Sequence, residues 1–154
     1  MNRIIKQVRD LEIIETELHN SDAGVLAVKC EDEAVLQVPT TFLYRDKNLY
    51  IFFEEDEMYE TIIFNTNVSF TILKEEKFRK SKKASYNPTY KYFSISISGV
   101  IKKIEDIKII EDLKNAYAKK YSGKKDGADL DFTTINKVTM IDSEEIKAIE
   151  ETGG

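Results

Sequence analysis

Tyr92-Phe-Ser-Ile-Ser-Ile-Ser-Gly-Val-Ile101 alternates apolar with small polar side chains, setting Phe93, Ile95 and Ile97 against Ser94, Ser96 and Ser98. A period of two places the apolar set on one face of a β-strand and the serines on the other. Val68-Ser-Phe-Thr-Ile-Leu73 repeats the alternation. Gly24-Val-Leu-Ala-Val28 and Leu49-Tyr-Ile-Phe-Phe53 are nearly continuous apolar runs, the pattern of strands buried on both faces. With Val35 to Tyr44 added, these runs predict a mainly β domain of about six antiparallel strands with flanking helices, curled into a small barrel. Glu31-Asp-Glu33 and Arg45-Asp-Lys-Asn48 carry the turn chemistry that joins the first three strands as a meander, the second turn as a hairpin.

Helical spacing interrupts the β pattern at three places. Leu11, Ile14 and Leu18 share one face of a helix from about Asp10 to His19, placed to cover one end of the barrel. Met58, Tyr59, Ile62 and Ile63 predict a short helix between Glu55 and Phe64, ended by Asn65-Thr-Asn67. Ile107, Ile110, Leu113, Tyr117 and Tyr121 mark a longer one, capped by Asp106 and ended by Gly123, its tyrosines packing on the barrel. Asn136 to Ile141 reads as the last strand. Ser143, followed by Glu144 and Glu145, reads as the cap of a final short helix over 143–150.

A chain of 154 residues with 42% hydrophobic residues is expected to form one domain, with its core between about residues 10 and 142. The net charge of -5 disfavours a nucleic-acid partner, which needs a basic footprint to displace phosphate counterions. One cysteine, Cys30, excludes an intrachain disulfide and fits a small buried side chain in a reducing cytoplasm. Met1 to Asp10 lacks the apolar stretch of a signal peptide, and no apolar run reaches membrane-spanning length. The expectation is a cytoplasmic protein with no membrane partner. The Lys, Ile, Asn and Glu usage resembles that of an AT-rich bacterial genome.

The order of the runs is similar to that of the flavin-binding split barrels related to pyridoxamine phosphate oxidase, in particular the branch of nitroimidazole-resistance reductases. The resemblance is carried by Gly24-Val-Leu-Ala27, Gln37-Val-Pro-Thr-Thr-Phe-Leu-Tyr44, Leu49-Tyr-Ile-Phe-Phe53 and Asn65-Thr-Asn-Val-Ser-Phe70. It continues through Ser94 to Val100, a strand ending in Gly-Val before a charged turn and the helix with Tyr117 and Tyr121. It implies a homodimer with two flavin mononucleotides (FMN) at the subunit interface and an oxidoreductase acting on a small molecule. By position, Val38, Pro39, Thr40 and Thr41 would meet the isoalloxazine ring. Phe52, Phe53 and Glu54 would run along the ring and ribityl chain, and the segment from Tyr86 through Tyr92 to Ser94 of the second subunit would close the site. Related folds also take deazaflavin or haem, although His19 alone would have to supply histidine ligation here.

The residues support this placement in part. A flavin needs an apolar slot with a few backbone donors and acceptors. Pro39 gives no amide donor, which suits either an edge where a ligand meets free backbone groups or an edge merely protected against pairing. Tyr86, Tyr90 and Tyr92 either stack on a planar ligand or pack an interface. His19 reads as a helix C-terminal surface residue, no metal site is expected, and no residue identifies itself as a catalytic acid or base.

One segment departs from the family pattern. Where a lysine or arginine commonly meets the flavin phosphate, this chain has Glu54-Glu-Asp-Glu-Met-Tyr-Glu60, with Met58 or Glu57 near the basic position. A phosphate monoester carries about -1.5 to -2 charges, so these carboxylates must point into water if one binds nearby. Lys77-Phe-Arg-Lys-Ser-Lys-Lys83 has five basic residues in seven. It reads as a solvated loop, as a substitute phosphate ligand through Lys80 and Lys82, or as a partner for the acidic segment of the other subunit. The alternative to a flavoprotein is a degenerate split barrel without flavin that serves as a binding or regulatory module.

Overall fold

The computed structural model describes residues 3–32, 34–54, 57–75, 90–122 and 135–153. Its elements run β1 (Arg3–Val8), α1 (Leu11–Asn20), β2 (Ala23–Lys29), β3 (Val35–Thr41), β4 (Leu43–Arg45), β5 (Asn48–Glu54), α2 (Glu57–Thr61), β6 (Asn67–Glu75), β7 (Tyr90–Ile104), α3 (Ile107–Tyr121) and β8 (Ile135–Gly153). Eight antiparallel strands form one sheet in the order β3-β2-β6-β7-β8-β5-β4, with β1 added along β8. This is the curled sheet of a split barrel.

The core lies where the alternation placed it. Ile95, Ile97, Phe70, Ile72, Leu26 and Val28 turn inward and pack with Phe42, Leu49 and Ile51 from the other half of the curl. Ile14 and Leu18 bring α1 onto this cluster. Asp106 caps α3 as expected, a carboxylate oxygen accepting from the amides of Lys108 and Ile109, and Asp10, where the first helix was expected to begin, caps α1 by accepting from those of Glu12 and Ile13. A second apolar layer joins Leu113, Tyr117 and Tyr121 of α3 to Leu43, Phe52 and Val138. β5 is therefore covered on both faces, as its continuous apolar run implied.

Five expectations are corrected. The helix over 143–150 does not form. β8 runs on to Gly153 because a bulge opposite Ser98 and Gly99 resets its register, after which it pairs with β7 on one side and β1 on the other. The predicted core limits at about 10 and 142 are likewise too narrow, since Ala148 is buried and Arg3–Val8, read as featureless, is a strand. The helix after β5 is shorter than Glu55 to Phe64. Ile62 leaves it to bridge Cys30, and Asn65 turns the chain with a φ of 62°. The run Gly24 to Val28 is buried on one face only, with Val25 39% exposed on the other. In addition, the run Val35 to Tyr44 breaks at Phe42, so that β3 pairs with β2 and β4 with β5.

Gly99 permits the long β7–β8 pairing. A Cβ there would lie 2.1 Å from the Asp142 carbonyl oxygen and 2.8 Å from its carbon, both backbone atoms that cannot step aside. Gly99→Ala should therefore lower stability by about 1–3 kcal/mol or more, while Ser98→Ala should leave it nearly unchanged. Chemical denaturation of the two variants checks this, and equal midpoints would show that the bulge tolerates a side chain.

Candidate functional site

The registers assign a common outer face to a set of small residues. Val25 sits opposite Pro39 and Thr71, and Thr71 opposite Ser96; Ala27 sits opposite Gln37 and Ser69, and Ser69 opposite Ser98. Their neighbours Leu26, Phe70 and Ile97 point into the core, so this row points away from it. With no bulky side chain in its middle, the face forms an open groove of about 540 Å³. That volume falls within the usual range of about 300–1,000 Å³ for small-molecule sites. Ala23, Gly24, Val25, Ala27, Pro39 and Leu73 supply apolar lining, and Gln37, Ser69 and Thr71 the polar groups. Among the described residues lining it, none is charged. At Gly24, between the outward Ala23 and Val25, a Cβ would meet the core-facing Phe70 ring at 2.4 Å and the Thr71 carbonyl at 2.7 Å, so the glycine lets β2 and β6 pack closely beneath the groove.

At one end of the groove, where Ala23 pairs with Thr41, the last turn of α3 clamps three segments together. The Phe42 amide donates to the Tyr121 hydroxyl at 3.2 Å. That hydroxyl lies 2.8 Å from the Asp22 carbonyl and 3.0 Å from the Phe42 carbonyl, which compete for its single proton. Burial pushes its pKa up to about 12. The Tyr117 hydroxyl stands 2.5 Å from Thr41 Oγ1, and the Tyr117 ring lies 4.3 Å from that of Phe52. Burial raises the Tyr117 pKa as well. Lys120 Nζ donates to the Phe42 carbonyl at 3.0 Å and sits 3.9 Å from the centre of the Phe42 ring. Burial pushes this ammonium down to about 8.

The residues singled out in the sequence are distributed over this geometry. Pro39 lines the groove and is exposed, Val38 packs against the core from the opposite face, and the Thr40 hydroxyl donates to the Thr41 carbonyl. Thr41 is held by Tyr117. The Phe52 ring is buried beneath α3 and the Phe53 ring in the core, 5.7 Å from Tyr59, so both rings serve packing. Met58 also packs against the core. Glu54 is exposed at the end of β5, and Glu60 is exposed on α2. Lys103 Nζ lies 4.8 Å from the centre of the Phe64 ring, and Lys137 Nζ lies 5.8 Å from that of Tyr59. Tyr92 shares the outer face with the groove, stacked on Tyr90 at 5.5 Å and paired with Glu151. Lys80, Lys82 and Tyr86 lie outside the described residues, as does the rest of the lysine-rich stretch.

Sequence reasoning missed Val25, Ala27, Ser69 and Thr71 as lining, and Lys120 and Tyr121 as the clamp. The alternation carried part of the first group, since Ser69 and Thr71 mark the non-core face of β6 that lines the groove. No local signal identified the clamp, whose partners lie 78 and 79 residues apart in the chain.

Elsewhere, Cys30 is buried and His19 is an exposed residue in the last turn of α1, edge-on to the Tyr44 ring at 5.4 Å. Among the described residues no group of His, Cys, Asp and Glu could hold a metal ion, and no helix is long and apolar enough to cross a membrane.

No protein-family model matches the chain, and no curated protein matches its sequence. Solved structures do match its shape. A candidate 5-nitroimidazole antibiotic resistance protein from Bacteroides thetaiotaomicron superposes with a TM-score of 0.74 at 17% identity, over 100% of this chain and 93% of that one. A FAD-binding protein from Mesorhizobium loti gives 0.67 at 17% identity, over 96% and 98% of the two chains. The FAD-binding protein from Mycobacterium smegmatis gives 0.69 at 13% identity, over 97% and 100%. The chain has the split-barrel fold of these proteins.

Removing the Tyr121 hydroxyl leaves the Phe42 amide without its acceptor. Tyr121→Phe should lower stability by about 1–3 kcal/mol, seen as a fall of several degrees in Tm. An unchanged melting curve would mean that the hydroxyl does not hold the β3–β4 break.

Proposed function

We propose that this chain is a small flavoprotein, an FMN-dependent oxidoreductase acting on a small molecule, with the isoalloxazine ring lying on the outer face of the open barrel. The observation that carries this reading is the groove. It has an apolar floor of Ala23, Gly24, Val25 and Ala27 and a rim of hydroxyl and amide groups from Ser69, Thr71 and Gln37. A flat aromatic body with a polar edge needs such a donor set, so the residues fit the ring. When bound, a flavin supplies the electron transfer, and the protein binds it, orients it and limits its contact with water. Split-barrel neighbours described as FAD-binding support a flavin as the ligand class.

The same face supports a homodimer. Val25, Val35 and Leu73 share the outward face of the β3-β2-β6 edge of the sheet and are 39%, 61% and 65% exposed. An unpartnered apolar face of this kind marks an interaction site. A second copy laid across it would cover these side chains and close the groove from above.

The non-flavin reading rests on a separate observation: the described lining has no cation for a phosphate, and Glu54 and Glu60 stand near the place where the family keeps one. Two measurements decide between the readings. Purified protein mixed with FMN and passed through gel filtration should retain the visible flavin bands at about one cofactor per chain. Val25→Trp, which fills the groove from an exposed position, should abolish retention while leaving the melting temperature unchanged. A colourless wild type would favour the non-flavin module, and retained flavin in the variant would move the site away from this groove. Leu73→Glu should shift the mass from dimer to monomer by light scattering, whereas an unaltered mass would show that this face is not the interface.

A further inference from the structure

We propose that Lys120 is the anion-binding residue of the groove, receiving the phosphate end of a ligand whose flat apolar body lies between β2, β3 and β6. The inference rests on the flavin reading above and supplies the charge that the groove lining lacks.

The argument begins with an unbalanced cation. Among the described residues Lys120 has no carboxylate within ion-pair distance; its partners are the Phe42 carbonyl at 3.0 Å and the aromatic faces of Phe42 and Tyr121, at 3.9 and 5.2 Å. Burying an ammonium this way is unfavourable without a compensating anion, which is why its pKa falls to about 8. A surface lysine with no task would extend into water along its flexible stem. This one is instead folded back onto the chain between Thr41 and Leu43.

Its location makes that arrangement useful. Phe42 directly follows Thr41, which pairs with Ala23 at the end of the groove. The hydroxyls of Thr41 and Tyr117 meet beside it. The apolar floor reaches Ala23, Ala23 pairs with Thr41, and the Thr41–Tyr117 hydroxyl pair and the Lys120 ammonium on Phe42 adjoin that end, the groups that a ligand with a planar ring and a terminal phosphate requires.

The test compares FMN with riboflavin, which lacks the phosphate, by fluorescence titration of wild type, Lys120→Gln and Lys120→Arg. FMN should bind the wild type more tightly than riboflavin does. Lys120→Gln should weaken FMN by about tenfold or more and leave riboflavin unchanged, the riboflavin titration showing that the variant is folded. Lys120→Arg should restore FMN binding. Wild-type affinity for FMN should also fall as pH rises above about 8, where the ammonium loses its proton, with bound phosphate moving the onset upward. The arginine variant should hold its affinity there. The titratable group that shares the Phe42 carbonyl with Nζ is the Tyr121 hydroxyl, whose pKa burial raises to about 12, so it keeps its proton over this range.

Equal weakening of both flavins in Lys120→Gln, unchanged FMN affinity, or equal wild-type affinities for the two ligands would each overturn the assignment while leaving the flavin reading in place. A wild type that binds neither flavin would overturn the flavin reading and this inference together.

Discussion

The pairing of β7 with β8 is the constraint from which the rest of the architecture hangs. β8 lies along β7 from Val138 to Gly153, and its other edge changes partner on the way, from β5 near Ile141 to β1 beyond Ala148. A straight strand could not serve both neighbours. The bulge at Ser98 and Gly99 adds the local twist that lets the sheet curl around Ile97, Ile101 and Ile141. Because Gly99 presses against the Asp142 backbone, this turn of the sheet is made by close main-chain approach rather than by side-chain filling.

A sheet that curls without closing leaves its convex side to be covered by something else. On the β4-β5-β8 half that cover is α3, whose Leu113, Tyr117 and Tyr121 bury Phe52 and Val138. Among the described residues no helix covers the β3-β2-β6 half, and the middle of its outward face is made of small side chains such as Ala27, Ser69 and Thr71, so a groove forms. The last turn of α3 stands at the boundary between the two halves. One hydroxyl, that of Tyr121, joins the approach to β2 and the break between β3 and β4, and this fixes where the covered half ends. Packing on one side of the barrel thereby sets the shape of the open side.

The sequence revealed what depends on local periodicity. The alternation from Phe93 to Ser98 identified both the core face and the hydroxyl face of β7, Asp106 marked the start of α3, and the start of α1 was placed within a residue. It misled where local chemistry fits two structures. Ser143-Glu-Glu is good cap chemistry, yet it is equally suited to an exposed bulge, and the choice was made by β7 and β1, which lie far away in the chain. Arg3-Ile-Ile-Lys-Gln-Val8 has no clean period because it is an added strand with one neighbour. For the candidate site, Pro39, Thr41 and Tyr92 lie on or beside the outer face, whereas the Phe52 and Phe53 rings are buried on the two sides of β5. Lys120 was invisible because nothing within its own helix distinguishes it from Lys119.

The union of β1 with β8 bears on how the molecule is assembled. Arg3 and Glu151 are bonded across 148 residues of chain, and the Glu151 side chain is almost fully buried. Such a contact carries a large loop-closure entropy and forms after more local pairings have shortened the path. On a ribosome β1 is made well before β8 and must therefore wait for it. During that interval Ile4 and Ile5 have no sheet to lie on, and the free edge of β8 offers its amides and carbonyls to any extended segment nearby. Productive folding thus depends on keeping β1 and β8 apart from other chains until they meet each other.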